Sequence, residues 1–341
     1  MKGLELSEKF YIEHGENMLR ENFSELQKYI AVGLVGSGSE CFGFDDYLSV
    51  DHDFEPGFCI FLPGEEIIDS KSAFALERAY SKLPKEFMGF KRSKLSPVGG
   101  NRHGVIRIGD FLKEKTGDAA GCLSLKEWFF VPEQSLAELV NGKLFYDGLG
   151  FFTEIRGRFA YLPEDVRLKK LAGNLLMMGQ SGLYNYERCI ARKETAAAQM
   201  AVFEFAKSAV NVIFLLNKTY MTYYKWVFKA MRNLAVLSES ESSVEHIISS
   251  PNDEMEVKVK IKIIEELCKD IVAELKKQKI TDYCGEEMEG HAYSVNNKIK
   301  KSLDDVEVQP IEESSDGEAM QNYNRLYEGG VFSDEKTEKS Y

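Results

Sequence analysis

The chain has 341 residues, enough for two or three domains of about 100–200 residues each. Its net charge of -12 disfavours general nucleic-acid binding, because non-specific affinity for phosphates comes from lysine and arginine, although a local basic site stays open. Six cysteines without a C-x-x-C pair and five histidines disfavour a zinc site. The apolar surroundings of Cys41, Cys59 and Cys189 predict buried, reduced thiols and therefore a cytoplasmic protein. The N-terminus lacks the apolar core of a signal peptide, and no apolar run approaches the ~20 residues of a membrane span.

The first 62 residues predict helices followed by a small sheet. Residues 4–29 have apolar positions at helical spacing, which predicts one or two amphipathic helices. Residues 30–35 predict a buried strand that leads into a glycine-serine turn. Residues 42–48 predict a loop, residues 49–54 a strand, and residues 58–62 a second buried strand.

The turn and the strand after it carry the chemistry. The glycines of Gly36-Ser37-Gly38-Ser39 let backbone N–H groups approach a phosphate, and the two serines add hydroxyl donors. Asp51 and Asp53 are two residues apart, so on a strand they point to the same face. Two such carboxylates repel unless a cation lies between them, and Mg²⁺ suits them best, with Mn²⁺ as an alternative.

These residues resemble a known superfamily. Val35-Gly36-Ser37, followed after thirteen residues by Asp51-His52-Asp53, is similar to the pattern of DNA polymerase beta-like nucleotidyltransferases. The longer sequence around these residues, GSGSECFGFDD and then DHDFEPGFC, resembles the bacterial DUF4037 domain, and the resemblance extends over about residues 31–237. The resemblance implies an α+β fold, with a catalytic domain built on a small mixed sheet and then an all-helical bundle. His52 departs from the superfamily, which usually has an apolar residue there.

The next segment contains a helix, a basic loop and a strand. Residues 70–82 predict a helix with Ser70 as its N-cap. Residues 89–104 are rich in glycine, serine and basic residues, and they form either an exposed loop or a flexible flap over an anionic substrate. The basic residues of such a flap are Lys91, Arg92, Lys94 and Arg102.

A third carboxylate is the expected general base of this superfamily. Residues 103–110 predict a strand, and Asp110 at its end is the first candidate. Asp110 could equally cap a helix that starts at Phe111. Asp147, at the end of a strand predicted over 143–147, is the second candidate, although the resemblance makes it a turn residue, and Glu154 is the third.

The remainder of the chain predicts helices. Residues 126–140 predict a helix broken at Pro132, and residues 160–237 a bundle of three or four helices. In that bundle Arg188, Arg192 and Lys225 are candidate nucleotide-binding residues, and the alternative is a solvated helix face.

The last hundred residues predict a separate region. Residues 238–252 predict a linker, residues 253–279 and about 293–303 predict helices, and the acidic tail after residue 308 predicts weak order.

We therefore expect three regions: a catalytic domain over 1–158, a helical bundle over 159–237, and a linker with charged helices and tail over 238–341. The expected reaction moves a nucleoside monophosphate from an NTP, with ATP the first choice, to a hydroxyl of a small molecule or protein, releasing pyrophosphate. One alternative is a catalytically degenerate nucleotide-binding sensor. Another is a toxin–antitoxin component whose acidic tail or helical domain binds a partner protein.

Overall fold

The computed structural model describes residues 1–51, 54–92 and 102–300, and it divides into two compact units. The first unit comprises Met1–Leu123 and Glu133–Tyr161, and the second comprises Ser124–Pro132 and the chain from Leu162 onward. The described residues are α+β, with strands in the first unit and helices throughout the second. The short segment Ser124–Pro132 therefore belongs with the helical unit, although it lies inside the sequence of the first.

The first unit contains six strands and seven α-helices in its described residues. The strands are β1 (Ala31–Leu34), β2 (Cys59–Leu62), β3 (Glu86–Phe87), β4 (Phe90–Lys91), β5 (Gly104–Arg107) and β6 (Lys143–Asp147). The helices, of which α6 lies in the second unit, are α1 (Gly3–Phe10), α2 (Glu16–Asn22), α3 (Ser24–Gln27), α4 (Ser70–Ser81), α5 (Ile108–Thr116), α6 (Leu125–Phe130), α7 (Glu133–Val140) and α8 (Phe151–Arg158). The prediction of strands near 30–35, 58–62 and 143–147 is confirmed, because each is a short apolar run bounded by turn residues.

Four of these strands form a mixed sheet in the order β5-β2-β1-β6, and β3 and β4 form a separate hairpin. The strand β1 is antiparallel to β2 and β6, whereas β2 and β5 are parallel. Gly33 lies opposite Cys59, and Cys59 lies opposite Gly104. Thus the C-terminal end of β1 lies beside the N-terminal ends of β2 and β5, and we call this end of the sheet the turn end.

Apolar side chains cover both faces of the sheet. On one face Phe10 of α1 and Tyr80 of α4 pack with Phe58, and the Tyr80 hydroxyl accepts a 3.0 Å hydrogen bond from the Phe58 backbone N–H. On the other face the Phe61 ring lies 5.5 Å from Phe111 and 4.4 Å from Phe152, between ring centroids. Burial of these rings fixes the register of β2, since a one-residue slip would exchange the two faces.

The strand predicted over 49–54 is wrong where the structure describes it. Residues Tyr47–Asp51 form a 3-10 helix. The Asp46 carboxylate accepts hydrogen bonds from the backbone N–H groups of Leu48 at 3.0 Å and Ser49 at 3.3 Å. This local cap offers the backbone an alternative to a β-ladder, which explains the difference. His52 and Asp53 lie outside the described residues, as does the side chain of Asp51.

Two further boundaries differ from those predicted. The N-cap of α4 is Asp69, whose carboxylate accepts a 2.7 Å hydrogen bond from the Ser72 N–H, so Ser70 is already helical. The strand predicted over 103–110 stops at Arg107, and α5 begins at Ile108. The loop predicted over 42–48 is confirmed for residues 42–46, which contain no helix or strand, whereas residues 47 and 48 belong to the 3-10 helix.

The second unit is built from helices around a long apolar one. Besides α6 it contains α9 (Glu164–Met178), α10 (Tyr186–Ala191), α11 (Thr195–Leu216), α12 (Val227–Met231), α13 (Ser240–Ser249), α14 (Glu254–Lys277) and α15 (Met288–Asn296). A π-helical stretch, Gly179–Asn185, joins α9 to α10. The helix α11 packs on α9, α10, α13 and α14, which makes it the core of the unit.

Three predictions for this region need correction. The segment 238–252 is not a linker, since Ser240–Ser249 is a helix that buries Val244 and Ile247. The helix predicted near 293–303 begins earlier, at Met288, and ends at Asn296. The helix α11 is long and apolar enough to cross a membrane, whereas the sequence analysis expected no apolar run of that length. However, 67% of the most apolar 18-residue stretch of α11 is buried inside the protein, as in a core helix. The tail after residue 300 lies outside the described residues.

Candidate active site

The glycine-serine turn follows β1 at the turn end of the sheet. Gly36 and Gly38 have φ angles of +104° and +124°, which side-chain-bearing residues rarely adopt. The backbone N–H of Gly36 donates a 2.8 Å hydrogen bond to Asn141 Oδ1, and Asn141 Nδ2 returns one of 2.8 Å to the Gly36 carbonyl. The Gly36 amide is therefore engaged within the protein, and its assignment to a phosphate stays a prediction.

The two glycines have different surroundings. A Cβ on Gly36 would meet only Phe111, at 3.5 Å. A Cβ on Gly38 would overlap the guanidinium of Arg102 and the carboxylate of Glu40. A side chain at Gly38 would therefore have to displace the ion pair that occupies the space beside it, whereas one at Gly36 would make only an ordinary contact.

Arg102 reaches the turn from the start of β5. Its Nη2 donates a 2.8 Å hydrogen bond to the Ser37 carbonyl and forms a short ion pair with Glu40, whose side chain is 10% exposed. Of the other cations predicted for a basic flap, Arg92 packs its guanidinium 4.7 Å from the centre of the Tyr80 ring, which is a structural role. Lys94 lies outside the described residues.

Lys115 reaches the same serine from α5. Its ammonium lies 3.5 Å from Ser37 Oγ and 2.7 Å from a carboxylate oxygen of Glu138, which in turn accepts a 3.0 Å hydrogen bond from Ser37 Oγ. A second carboxylate, that of Glu114, lies 2.7 Å from the ammonium. The lysine is 7% exposed. Burial acts to lower the pKa of Lys115, but the hydrogen bonds that its ammonium donates to Glu114 and Glu138 outweigh this effect. The pKa of Lys115 is therefore raised, and the side chain is a cation at neutral pH.

Two buried thiols complete the lining of the turn. Cys41 Sγ lies 3.8 Å from the Ser37 carbonyl, and Cys59 Sγ lies 3.2 Å from the Arg102 carbonyl. Burial raises the pKa of Cys41, and it raises the pKa of Cys59 to about 12. Both are therefore protonated donors at neutral pH rather than nucleophiles. The prediction that Cys41 and Cys59 are buried is confirmed, whereas Cys189 is only partly buried.

A serine pair connects the turn to the aspartate segment. Ser39 Oγ lies 3.3 Å from Ser49 Oγ, and Ser49 lies in the 3-10 helix that ends at Asp51. The backbone of Asp51 is thus close in sequence to a residue that contacts the turn. The assignment of Asp51 and Asp53 as metal ligands stays a prediction, because their side chains lie outside the described residues.

The structure does not bring the third-carboxylate candidates to the turn. Asp110 is exposed in the first turn of α5. This helix starts after Arg107, at the end of the sheet opposite the turn end. Asp147 lies opposite Ala31, also at the end of the sheet away from the turn. Its carboxylate accepts hydrogen bonds from the N–H and the hydroxyl of Thr153 at 2.7 and 2.8 Å. Glu154 is exposed and pairs with Arg158 at 2.8 Å. Instead, the carboxylates found at the turn are those of Glu40 and Glu138.

The predicted cations of the helical region lie in the second unit. Arg188 is in α10, with its guanidinium 3.9 Å from the centre of the Tyr184 ring, and the Arg192 N–H donates to the Arg188 carbonyl, one helical turn earlier. Lys225 lies in a 3-10 helix, with its ammonium 5.2 Å from the centre of the Trp226 ring. All three side chains of Arg188, Arg192 and Lys225 are exposed. Their assignment to a nucleotide stays a prediction.

The donor chemistry decides which metal the proposed site could hold. The carboxylates of Asp51 and Asp53 are hard oxygen ligands, which fit Mg²⁺ or Mn²⁺. Elsewhere in the described residues, no group of three or more His, Cys, Asp or Glu side chains is placed to hold a metal ion. A metal at this site would therefore depend on the aspartate pair.

Comparison with known protein families gives a partial match. Residues 128–227 match a domain of unknown function, DUF4037. The DUF4037 segment begins in α6 and ends at the start of α12, so it covers much of the helical unit and leaves out the turn and both aspartates. No curated protein and no solved structure shows significant similarity to the chain.

Sequence reasoning missed several residues that meet at the turn. Lys115 and Glu138 reach it from helices and Asn141 from the loop after α7, all more than seventy residues later in the chain. Nothing local in the sequence marks them, because each lies in an ordinary amphipathic helix or loop. Glu40 and Arg102 had weaker signals: the first is adjacent to the turn, and the second belongs to the predicted basic flap.

Proposed function

We propose that the protein is a nucleotidyltransferase that transfers a nucleoside monophosphate from an NTP, with ATP the first choice, to a hydroxyl of a small molecule or protein. The observation that supports this is the convergence of two cations on Ser37. Arg102 reaches its carbonyl and Lys115 its hydroxyl, from different elements, at a turn with two left-handed glycines. Cations at a glycine-serine turn favour a bound phosphate.

In the proposed reaction the triphosphate binds at the turn and competes with carboxylates for the cations. Arg102 exchanges Glu40 for a phosphate oxygen, and Lys115, held by Glu138, supplies a fixed positive charge behind Ser37. Asp51 and Asp53 would hold Mg²⁺, which when bound offsets charge on the phosphates. Glu138 and Glu40, rather than Asp110, are the carboxylates near enough to the turn to take a proton from an acceptor hydroxyl.

The direct test is transfer of label. The protein is incubated with each α-labelled NTP, Mg²⁺ and a panel of hydroxyl acceptors, and labelled product and pyrophosphate are measured. Asp51→Asn and Asp53→Asn should abolish transfer, whereas Asp282→Asn, an exposed aspartate whose side chain is 81% accessible, should not. Equal product from all four proteins would remove the aspartates from the reaction.

The binding step can be tested separately. Arg102→Ala should weaken ATP binding about ten- to hundredfold, because a charge-assisted hydrogen bond contributes about 1.5–3 kcal/mol. Adenosine binding should change little, because adenosine has no phosphate. Arg158→Ala is the matched control, since Arg158 also forms an ion pair with a glutamate but lies on the exposed side of α8. If Arg102→Ala weakens both ligands equally, the turn does not bind phosphate.

A second candidate, a nucleotide-binding sensor without transferase activity, is favoured by one observation. Asp110 and Asp147, the first two candidates for the third carboxylate, lie at the end of the sheet opposite the turn. Such a protein would show Arg102-dependent ATP binding but no labelled product with any acceptor or NTP. The two assays above therefore separate the two candidates.

A further inference from the structure

A second charged surface lies in the helical unit, between α11 and α12. It is made of Tyr223, Tyr224, Lys225, Trp226 and Lys229, and we call it the aromatic-basic surface. Tyr224 is 75% exposed and Tyr223 45% exposed, and the centroids of their rings are 4.2 Å apart. The ammonium groups of Lys225 and Lys229 lie 5.2 and 5.3 Å from the centre of the Trp226 ring. Two lysines thus lie near the Trp226 ring, which follows two exposed tyrosines closely in the sequence.

The local charge of this segment is opposite to that of the chain. Residues 218–238 contain four lysines or arginines and no aspartate or glutamate, in a chain of net charge -12. Lys218 pairs with Glu164 at 4.0 Å, and Arg232 pairs with Glu241 at 2.6 Å. Lys225 has no carboxylate within ion-pair distance among the described residues. At the aromatic-basic surface the charge of Lys225 is therefore not offset by a carboxylate among the described residues.

An aromatic core residue would bury its ring, and Tyr224 does not. A tyrosine at 75% exposure gains little from burial, so its ring contributes little to folding and is open to a ligand. Exposed aromatic rings interleaved with cations match one ligand chemistry well: flat bases joined by phosphates. The rings stack on bases, and the ammonium groups bind the backbone between them.

We propose that the aromatic-basic surface binds single-stranded nucleic acid, with bases stacked on Tyr223 and Tyr224 and phosphates held by Lys225 and Lys229. A duplex keeps its bases stacked on each other and so cannot use the exposed rings. This proposal gives Lys225 a role away from the NTP. It also changes the expectation set by the acidic chain, because the whole-chain charge hides a local basic segment. It does not depend on nucleotidyl transfer.

The test measures, by fluorescence anisotropy, how tightly the full chain binds a fluorescein-labelled single-stranded RNA of about 12 nucleotides. NTP is left out of the titration. Tyr224→Ala should weaken binding about tenfold, whereas Tyr224→Phe, which keeps the ring, should bind like the wild type. Lys225→Ala and Lys229→Ala should weaken binding and reduce its salt dependence. The matched controls are Tyr293→Ala, at 43% exposure, and Lys258→Ala, whose side chain is 75% exposed.

The outcomes separate this surface from other ways of binding RNA. Support requires a loss for the alanine variants of the surface, retention by Tyr224→Phe, normal binding by both controls, and weaker binding of the matching duplex. Equal binding by Tyr224→Ala and the wild type would overturn the proposal, as would equal loss in Tyr293→Ala. Competition by AMP at the same concentration as the oligonucleotide would also overturn it, because the surface would then bind a single nucleotide. Circular dichroism spectra of the variants show whether each is folded.

Discussion

Gly36 and Gly38 both have positive φ angles, but only Gly38 is pressed against charged side chains. An alanine at either position forces a side-chain-bearing residue into a left-handed conformation. At Gly38 the added methyl group would also displace the Arg102–Glu40 pair, whose charged ends can move. The two substitutions therefore share their backbone strain and differ in their effect on Arg102.

We expect Gly36→Ala and Gly38→Ala to lower the free energy of unfolding by similar amounts, about 1–2 kcal/mol each. Only Gly38→Ala should also weaken ATP binding, because it moves the arginine that we place on the phosphates. Urea denaturation gives the first quantity and titration calorimetry the second. Equal ATP affinity in the two variants would show that displacing Arg102 is without effect on the nucleotide.

The Lys115–Glu138 pair allows a second prediction at this scale. Lys115→Met should lower the free energy of unfolding by about 3 kcal/mol, because it leaves the Glu138 carboxylate without its nearest cation in a largely buried setting. Lys9→Met is the matched control. Lys9 pairs with Glu5 at the same 2.7 Å distance, but both side chains are about half exposed. Its loss should stay below about 0.5 kcal/mol.

A double-mutant cycle tests whether the pair itself is responsible. The Lys115→Met and Glu138→Leu double variant should be more stable than the sum of the two single losses predicts, by about 1–3 kcal/mol. Strict additivity would mean that Lys115 stabilises the unit through packing alone.

At the scale of elements, Lys169 shows how helix packing changes a pKa. It lies on α9 with 9% exposure, and its ammonium has an amide partner, Asn296 of α15, at 3.2 Å. Burial lowers the pKa of Lys169 to about 8. Because the folded pKa is below the unfolded one, the folded state loses this proton first as pH rises, and stability increases between about pH 8 and 10.4.

We predict that Lys169→Met increases the free energy of unfolding at pH 7 by up to about 3 kcal/mol, since a shift of each pKa unit corresponds to about 1.4 kcal/mol. The wild type should gain stability from neutral pH to about pH 9.5, and the variant should lack this gain. Guanidinium denaturation across that range measures both. Parallel pH profiles for the two proteins would contradict the prediction.

The helices and strands that were predicted correctly are those whose signals lie within the segment itself, such as an apolar run or a capping residue. The strands β1 and β2 are buried apolar runs that end at turn residues, and the charged helix α14 follows Asp253, whose carboxylate accepts hydrogen bonds from the N–H groups of Met255 and Glu256. The strand assigned to residues 49–54 failed because Asp46 caps a 3-10 helix there, a local signal that the spacing of the aspartates obscured. The residues around the turn could not be predicted, because Lys115 and Glu138 meet Ser37 only through tertiary folding.

At the scale of the whole molecule, the helical unit depends on a segment from the middle of the first. The helix α6 packs on α9 and buries Trp128 and Phe129, which are 9% and 6% exposed. A division of the chain at residue 159, as the sequence suggests, would remove these rings from the unit that they cover. The DUF4037 match starts at residue 128 and so includes both of them.

Trp128→Ala should lower the stability of the helical unit by about 3–5 kcal/mol, because it removes a large buried ring. Hydrogen exchange should show faster exchange for α9 amides, while β1 and β2 keep their protection. Phe74→Ala, at a ring that is 63% exposed on α4, is the control and should change neither. Faster exchange in the sheet together with α9 would mean that the ring supports the whole molecule.

The hydrogen bonds between Gly36 and Asn141 have a consequence for biosynthesis. The two residues are 105 positions apart in the chain. A ribosome adds about 5–20 residues per second, so the turn waits roughly 5–20 s after its own synthesis for the amide that holds it. During that interval the nascent protein has a glycine turn with no anchor. The phosphate site that we propose at this turn is therefore completed in one late step, when the segment after α7 docks, rather than gradually as the chain grows.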